Sequence, residues 1–191
     1  MLLRSIRPAL SLLVALTLLL GLVYPVLITG IARVAFPDAA SGSLVVRDGK
    51  LVGSRLIGQA FSEPKYFWGR PSATSPQPYN ALASSGSNLG PLNPALIDSV
   101  KAGVASLRAA DPDQPLPVPV ELVSASASGL DPEISPAAAA WQASRVAQAR
   151  GMSIAAVEAL ISAHTSGPLL GLLGEARVNV LELNLALDAL P

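Results

Sequence analysis

The sequence predicts an α+β fold: a single N-terminal transmembrane helix followed by one mixed α+β domain. Three observations carry this expectation. Ala9 to Ile28 is twenty residues without a charge, and at about 1.5 Å per residue such a helix spans about 30 Å, the thickness of a bilayer's hydrocarbon core. Beyond it the apolar period shortens around Asp48-Gly49, the pair that supplies the positive φ angles of a tight hairpin. Later segments repeat every three to four residues behind Asn-Pro and Ser-Pro pairs, which cap and start helices.

The membrane segment is predicted over residues 8–35, PALSLLVALTLLLGLVYPVLITGIARVA, behind a leader of residues 1–7. No later stretch reaches that length without a charge, a proline or a glycine cluster, so residues 36–191 are expected to fold in water. Arg4 and Arg7 precede the helix with no acid beside them, which the positive-inside rule reads as a cytoplasmic N-terminus and an extracytoplasmic domain. Residues 1–37 hold three arginines and no acid, and residues 38–191 hold ten bases and thirteen acids. The zero net charge therefore divides into a +3 anchor and a −3 domain. A cleaved signal peptide is the competing reading, with Ala39-Ala40-Ser41 as its site. Signal cores run roughly 7–15 residues, whereas this one continues through Val26-Leu27-Ile28 to Ile31, which favours retention. Thr17 and Gly21 stand four apart, as do Ser11 and Ala15, a spacing of small residues that admits a neighbouring helix. Tyr24-Pro25 predicts a kink near the outer interface.

After a linker of small residues, Ser43–Arg47 and Lys50–Ser54 are the predicted hairpin strands, and Arg55–Phe61 is expected to lengthen the second. Residues 62–93 concentrate Pro, Ser, Asn and Gly, yet hold Tyr66, Phe67, Trp68 and Tyr79, half of all the aromatics. A long irregular segment so rich in aromatics is expected to be ordered, packed on the domain or on a partner. Asn93-Pro94 starts a helix over 95–110 with Leu96, Val100, Val104 and Leu107 on one stripe. Residues 118–124 read as a strand, which Pro119 confines to a sheet edge. Ser135-Pro136 starts a helix over 137–150 that Gly151 stops, and Asp131-Pro132-Glu133 reads as acids ahead of its N-terminus. Ser153 opens a further helix with Ile154, Val157, Leu160 and Ile161, running to about His164. Residues 178–190 read as a short strand turning into a helix.

The absence of cysteine excludes a disulfide framework, a thiolate zinc site and a cysteine nucleophile. One histidine with scattered carboxylates offers no metal-ligand spacing, and neither a phosphate loop nor a Gly-x-Ser-x-Gly elbow occurs. Serines crowd 84–87 and 124–128, and a serine hydrolase would need His164 as its base. The better reading has these serines satisfying backbone groups in turns. An autonomous membrane-anchored binding module or hydrolase remains the alternative to an assembly subunit.

Across the whole chain, in order, the motifs resemble the C subunit of the bacterial high-affinity potassium-transporting P-type ATPase, the KdpC family. The matching strings include Arg7-Pro8-Ala9-Leu10, Leu56-Ile57-Gly58-Gln59, Gly69-Arg70-Pro71-Ser72-Ala73-Thr74, Pro78-Tyr79-Asn80 and Gly86-Ser87-Asn88-Leu89. Val118-Pro119-Val120-Glu121-Leu122-Val123, Ser124 to Asp131, Arg145 to Arg150 and Arg177 to Leu187 complete the set. The resemblance implies a non-catalytic accessory subunit of a bacterial inner-membrane complex, a catalytic chaperone that raises the ATP affinity of the ATPase subunit. Implied partners are that ATP-hydrolysing subunit, a potassium-selective channel-like subunit, a small hydrophobic subunit and membrane lipid, with no nucleic acid. No cofactor of its own is implied, although ATP could be held in a ternary complex, where Gln142 is the nominated nucleotide contact. Candidate partner contacts are Thr17, Gly21, Tyr66, Phe67, Trp68, Arg70 and Tyr79. An outward domain conflicts with direct contact to cytoplasmic ATP, so any effect on ATP affinity is expected to pass through the membrane helix.

Overall fold

The computed structural model describes residues 2–190. The chain divides into two compact units at Val52 and Gly53.

In the first unit α1 (Leu2–Leu18), a five-residue π segment (Leu19–Val23) and α2 (Tyr24–Ala35) follow without a break. Ser5–Ala35 is apolar and long enough to cross a bilayer, and its most apolar window is 0% buried within the chain. The π segment answers to Pro25. In a regular helix the proline ring presses on the carbonyl four residues back, that of Gly21, and no N–H closes the turn. Here the Tyr24 N–H reaches back five residues to the Leu19 oxygen, widening the turn ahead of the proline. Phe36, with φ −140°, ends the helix, and Pro37 starts the single turn α3 (Pro37–Ala40). The expected hairpin follows as β1 (Leu44–Arg47) and β2 (Lys50–Ser54), with Asp48 at φ 51° and Gly49 at φ 75° in its turn.

Arg55–Phe61 does not lengthen β2. The Leu56 N–H bonds the Ser54 hydroxyl at 3.1 Å, and Ser54 bridges to Ile57, so the chain turns at once. Gly58 then donates to the Leu130 carbonyl at 2.9 Å, away from the hairpin.

The second unit is organised around α5 (Pro136–Arg150). Ser135 caps it, its hydroxyl accepting from the Ala138 N–H, and Gly151 stops it in the left-handed conformation at φ 66°. Ala138, Ala139, Ala143 and Ala147 are buried along it, small side chains that let its neighbours approach closely. One neighbour is α6 (Ile154–Ala163), capped by Ser153, which inserts Val157 and Ile161 into the core. Each such side chain contributes about 1.5–3 kcal/mol when fully buried. A second is α7 (Val180–Asp188), capped by Asn179, which buries Val180, Leu181, Leu183 and Leu187.

A three-stranded antiparallel sheet in the order β3-β5-β4 completes the core, from β3 (Glu133–Ile134), β4 (Thr165–Ser166) and β5 (Arg177–Asn179). Ile134 pairs with Val178, and Thr165 pairs with Val178 from the other side. The strand-to-helix reading of the C-terminal segment is thus correct, with the change at Asn179-Val180. The helix predicted from Asn93-Pro94 is α4 (Pro94–Ala110), whose Val100, Val104 and Leu107 reach the core.

A further expectation fails here. Residues 118–124 form no strand: Pro119 sits at φ −58° ahead of a 3₁₀ turn, Val120–Leu122. Leu122 and Val123 are buried in succession while Val120 is exposed, a pattern that strand alternation does not allow. Asp131-Pro132-Glu133 does stand just ahead of the α5 N-terminus, its acids engaged with Arg70 and Arg177. The acid at the α5 N-terminus is Glu121, which accepts from both the Ser135 N–H and its hydroxyl.

Candidate functional site

Residues 62–93 form an ordered strap whose aromatic segment is held by side-chain amides of α5 and α7. Two consecutive residues lie where a β-strand would need a neighbour, and side chains take the neighbour's place. Phe67 donates its N–H to Asn184 Oδ1 at 2.8 Å, and its carbonyl accepts from Asn184 Nδ2 at 2.9 Å. Trp68 repeats the arrangement with Gln142, its N–H donating to Oε1 at 2.9 Å and its carbonyl accepting from Nε2 at 3.1 Å. Gln142 makes two more bonds, donating to the Ala138 carbonyl and accepting from Arg145 Nη2 at 2.6 Å. It is fully buried, as is Phe67.

Arg145 extends the clamp. It donates to the carbonyls of Pro64 and Tyr66, and its guanidinium lies 4.2 Å from the centre of the Trp68 ring. Burial lowers its pKa to about 10. Tyr66 donates to Asp188 Oδ2 at 3.0 Å, and Arg150 binds Asp188 Oδ1 at 2.7 Å and the carbonyls of Lys65 and Leu187. Burial and then the Asp188 bond raise the Tyr66 pKa.

The second half of the strap lies on the segment 124–131. Arg70 pairs with Asp131 at 3.2 Å, and Tyr79 donates its hydroxyl to the Arg70 carbonyl at 2.5 Å. Ser72 donates to the Gly129 carbonyl at 2.6 Å, and the Ser85 N–H donates to the Ser128 carbonyl at 2.9 Å. The two serine-rich runs therefore meet, and they meet as backbone partners. His164 ends α6, its N–H bonding the Leu160 carbonyl. Beside this region is a cavity of about 220 Å³ lined by Arg70, Glu121, Asp131, Glu133, Glu175 and Arg177. Arg177 pairs with Glu133 at 3.0 Å, so both arginines of the cavity are ion-paired and its four acids leave the lining net negative.

Among the candidate contacts, Tyr66, Phe67, Trp68, Arg70 and Tyr79 are brought together as the inner face of the strap, buried or half-buried. Thr17 lies in the last turn of α1 and Gly21 within the π segment, so their spacing is read across a widened turn. The strap's exposed apolar residues are Leu82 and Leu92, at 97% and 91% exposure. Isolated leucines in a Pro/Ser/Gly-rich string gave no periodic signal by which to find them.

Burial, with the charge of Asp131 second, pushes the Tyr79 phenol up to about 12. The folded phenol thus keeps its proton where the unfolded one, near 10, has lost it. Its stabilising contribution is complete below about pH 10 and is lost between about pH 10 and 12. Tyr79→Phe is expected to cost about 1 kcal/mol near pH 8 and to flatten this alkaline decline. Urea unfolding at both ends of the window checks it. Arg145 adds a slope of opposite sign to both proteins and cancels from the comparison.

The fold and the strap define a class: an α+β domain behind one membrane-length helix, with its polar side chains engaged in holding a long strap. Residues 6–189 match the family model described as KdpC: K+-transporting ATPase, c chain. The chain belongs to the KdpC family. It is 65% identical over 184 residues to the potassium-transporting ATPase KdpC subunit of Dechloromonas aromatica, covering 96% of both chains. The protein of the same name from Polaromonas naphthalenivorans is 64% identical over 185 residues, 97% of this chain and 94% of the relative. That of Sorangium cellulosum is 63% identical over 186 residues, 97% and 98%.

Proposed function

We propose that this chain is a non-catalytic subunit of a potassium-transporting P-type ATPase, assisting assembly and raising the ATP affinity of the ATP-hydrolysing subunit. The match over residues 6–189 to the KdpC family carries the reading. The geometry is in keeping with it, because the polar residues of the strap serve its own architecture. Its partners are the ATP-hydrolysing subunit, a potassium-selective channel-like subunit and a small hydrophobic subunit.

The positively charged leader supports a cytoplasmic N-terminus, with the domain on the outer face of the inner membrane. ATP held in a ternary complex would then lie across the membrane from Gln142, and the influence on ATP affinity travels through the anchor. Purification of the transport complex through a tag on this chain tests the reading. The expected result is co-elution of the ATPase and potassium-selective subunits, and a lower KM for ATP than in the complex lacking the chain. Elution alone, with KM unchanged, overturns it. Protease added to spheroplasts is expected to cleave the domain; protection there, with cleavage in inverted vesicles, reverses the orientation.

A further inference from the structure

We propose that the leucine loop at residues 168–173 enters the boundary between headgroups and hydrocarbon of the bilayer that holds the anchor. Between β4 and β5 the chain reads Gly167-Pro168-Leu169-Leu170-Gly171-Leu172-Leu173-Gly174. Leu169, Leu170, Leu172 and Leu173 are 64%, 85%, 86% and 62% exposed. Four large apolar side chains in one turn form a contiguous patch, unlike exposed leucines scattered singly.

The backbone of this loop closes on itself. Leu169 and Leu173 exchange N–H donations at 2.8 and 3.0 Å, Gly171 donates to the Pro168 carbonyl, and Leu172 donates to the Leu169 carbonyl. This pairing lowers the cost of bringing the backbone toward hydrocarbon, and the groups at the tip outside it confine the loop to the headgroup boundary, where water and headgroups can bond them. Leu170 holds φ 55°, a left-handed conformation that is sterically costly for a leucine.

The chemistry favours lipid over a protein partner. Protein interfaces draw their energy from Trp, Tyr and Arg, and leucine is under-represented among their strongest contacts. From Thr165 to Gly174 there is no charge and no aromatic, and the first charges, Glu175 and Arg177, stand at the base. The tether supplies proximity. Only residues 36–52 separate the anchor from the second unit, a reach of at most about 60 Å at about 3.5 Å per residue, so the loop meets lipid at a high effective concentration.

The inference rests on a membrane-spanning anchor and is separable from it. The chain has no cysteine, so Leu170→Cys, Leu172→Cys, the exposed Asp113→Cys and Leu20→Cys in the anchor each give one labelling site. Each full-length variant is labelled with a polarity-sensitive fluorophore in vesicles of phosphatidylethanolamine and phosphatidylglycerol. Nitroxide on the lipid acyl chains is expected to quench the 170 and 172 labels about threefold more than the 113 label, with iodide showing the reverse order. Iodide access at 170 and 172 with no nitroxide quenching overturns the proposal. Shielding from both quenchers also overturns it, in favour of a protein contact. Failure at 170 and 172 with the Leu20 label quenched sinks the loop alone; failure at Leu20 as well removes the anchor and the proposal together.

Discussion

Gln142→Leu is expected to destabilise the domain by about 4 kcal/mol, the largest loss from a single side chain that fastens the strap. Leucine fills a similar volume, so packing changes little, and the cost comes from hydrogen bonding. The Trp68 N–H and carbonyl lose their partners, and one Arg145 donor loses its acceptor. Each polar group left unpaired costs about 1–3 kcal/mol where water cannot reach it, and Gln142 is fully buried. Thermal unfolding of the full chain in detergent measures the effect, and Trp68 fluorescence in a Trp141→Phe background reports whether the strap releases before the core. The same variant separates two roles for the amide. A structural clamp lowers the melting temperature; a direct nucleotide contact instead raises the complex's KM for ATP and leaves melting unchanged.

Gly58→Ala is expected to cost about 3 kcal/mol, because nothing near the position can yield. A Cβ placed there would lie 2.4 Å from a ring carbon of Tyr79 and 2.6 Å from the backbone oxygen of Asp131. The ring is fixed by its hydroxyl bond to the Arg70 carbonyl, and the oxygen belongs to the segment that meets the strap. Relief requires separating the chain at 58 from the segment 130–131, which also breaks the Gly58 to Leu130 bond. Chemical denaturation is expected to show a lowered midpoint with an unchanged slope; an unchanged midpoint would show that the contact opens at no cost.

How far the fold could be read beforehand depended on whether the signal was local. Asn93, Ser135 and Ser153 each cap a helix within a few residues of themselves, and Asp48-Gly49 makes its turn alone. These elements were legible. The stretch 118–124 was misread because its apolar residues follow a tertiary demand, the burial of Leu122 and Val123, on a backbone that Pro119 had already turned. The strap was recognised as ordered from its aromatics. Its fastening was hidden, since Gln142 and Asn184 lie 74 and 117 residues from the backbone groups they satisfy. An amide inside an alanine-rich helix carries no mark of what it will bind. The leucine loop carries no such signal: four leucines among Gly167, Pro168, Gly171 and Gly174 have neither helical nor strand period, and their composition describes only a break in the chain.

The widened turn ahead of Pro25 gives the anchor two rotational phases. One additional residue in a helix turns everything beyond it by about 100° relative to an uninterrupted count. The small-residue line begun by Ser11 and Ala15 in α1 is therefore not continued by the residues that four-residue counting would select in α2. A neighbour packed on the first half and a neighbour packed on the second meet different sides of the same rod. Twisting or tilting one half then presents itself to the other as a change of side as well as of height.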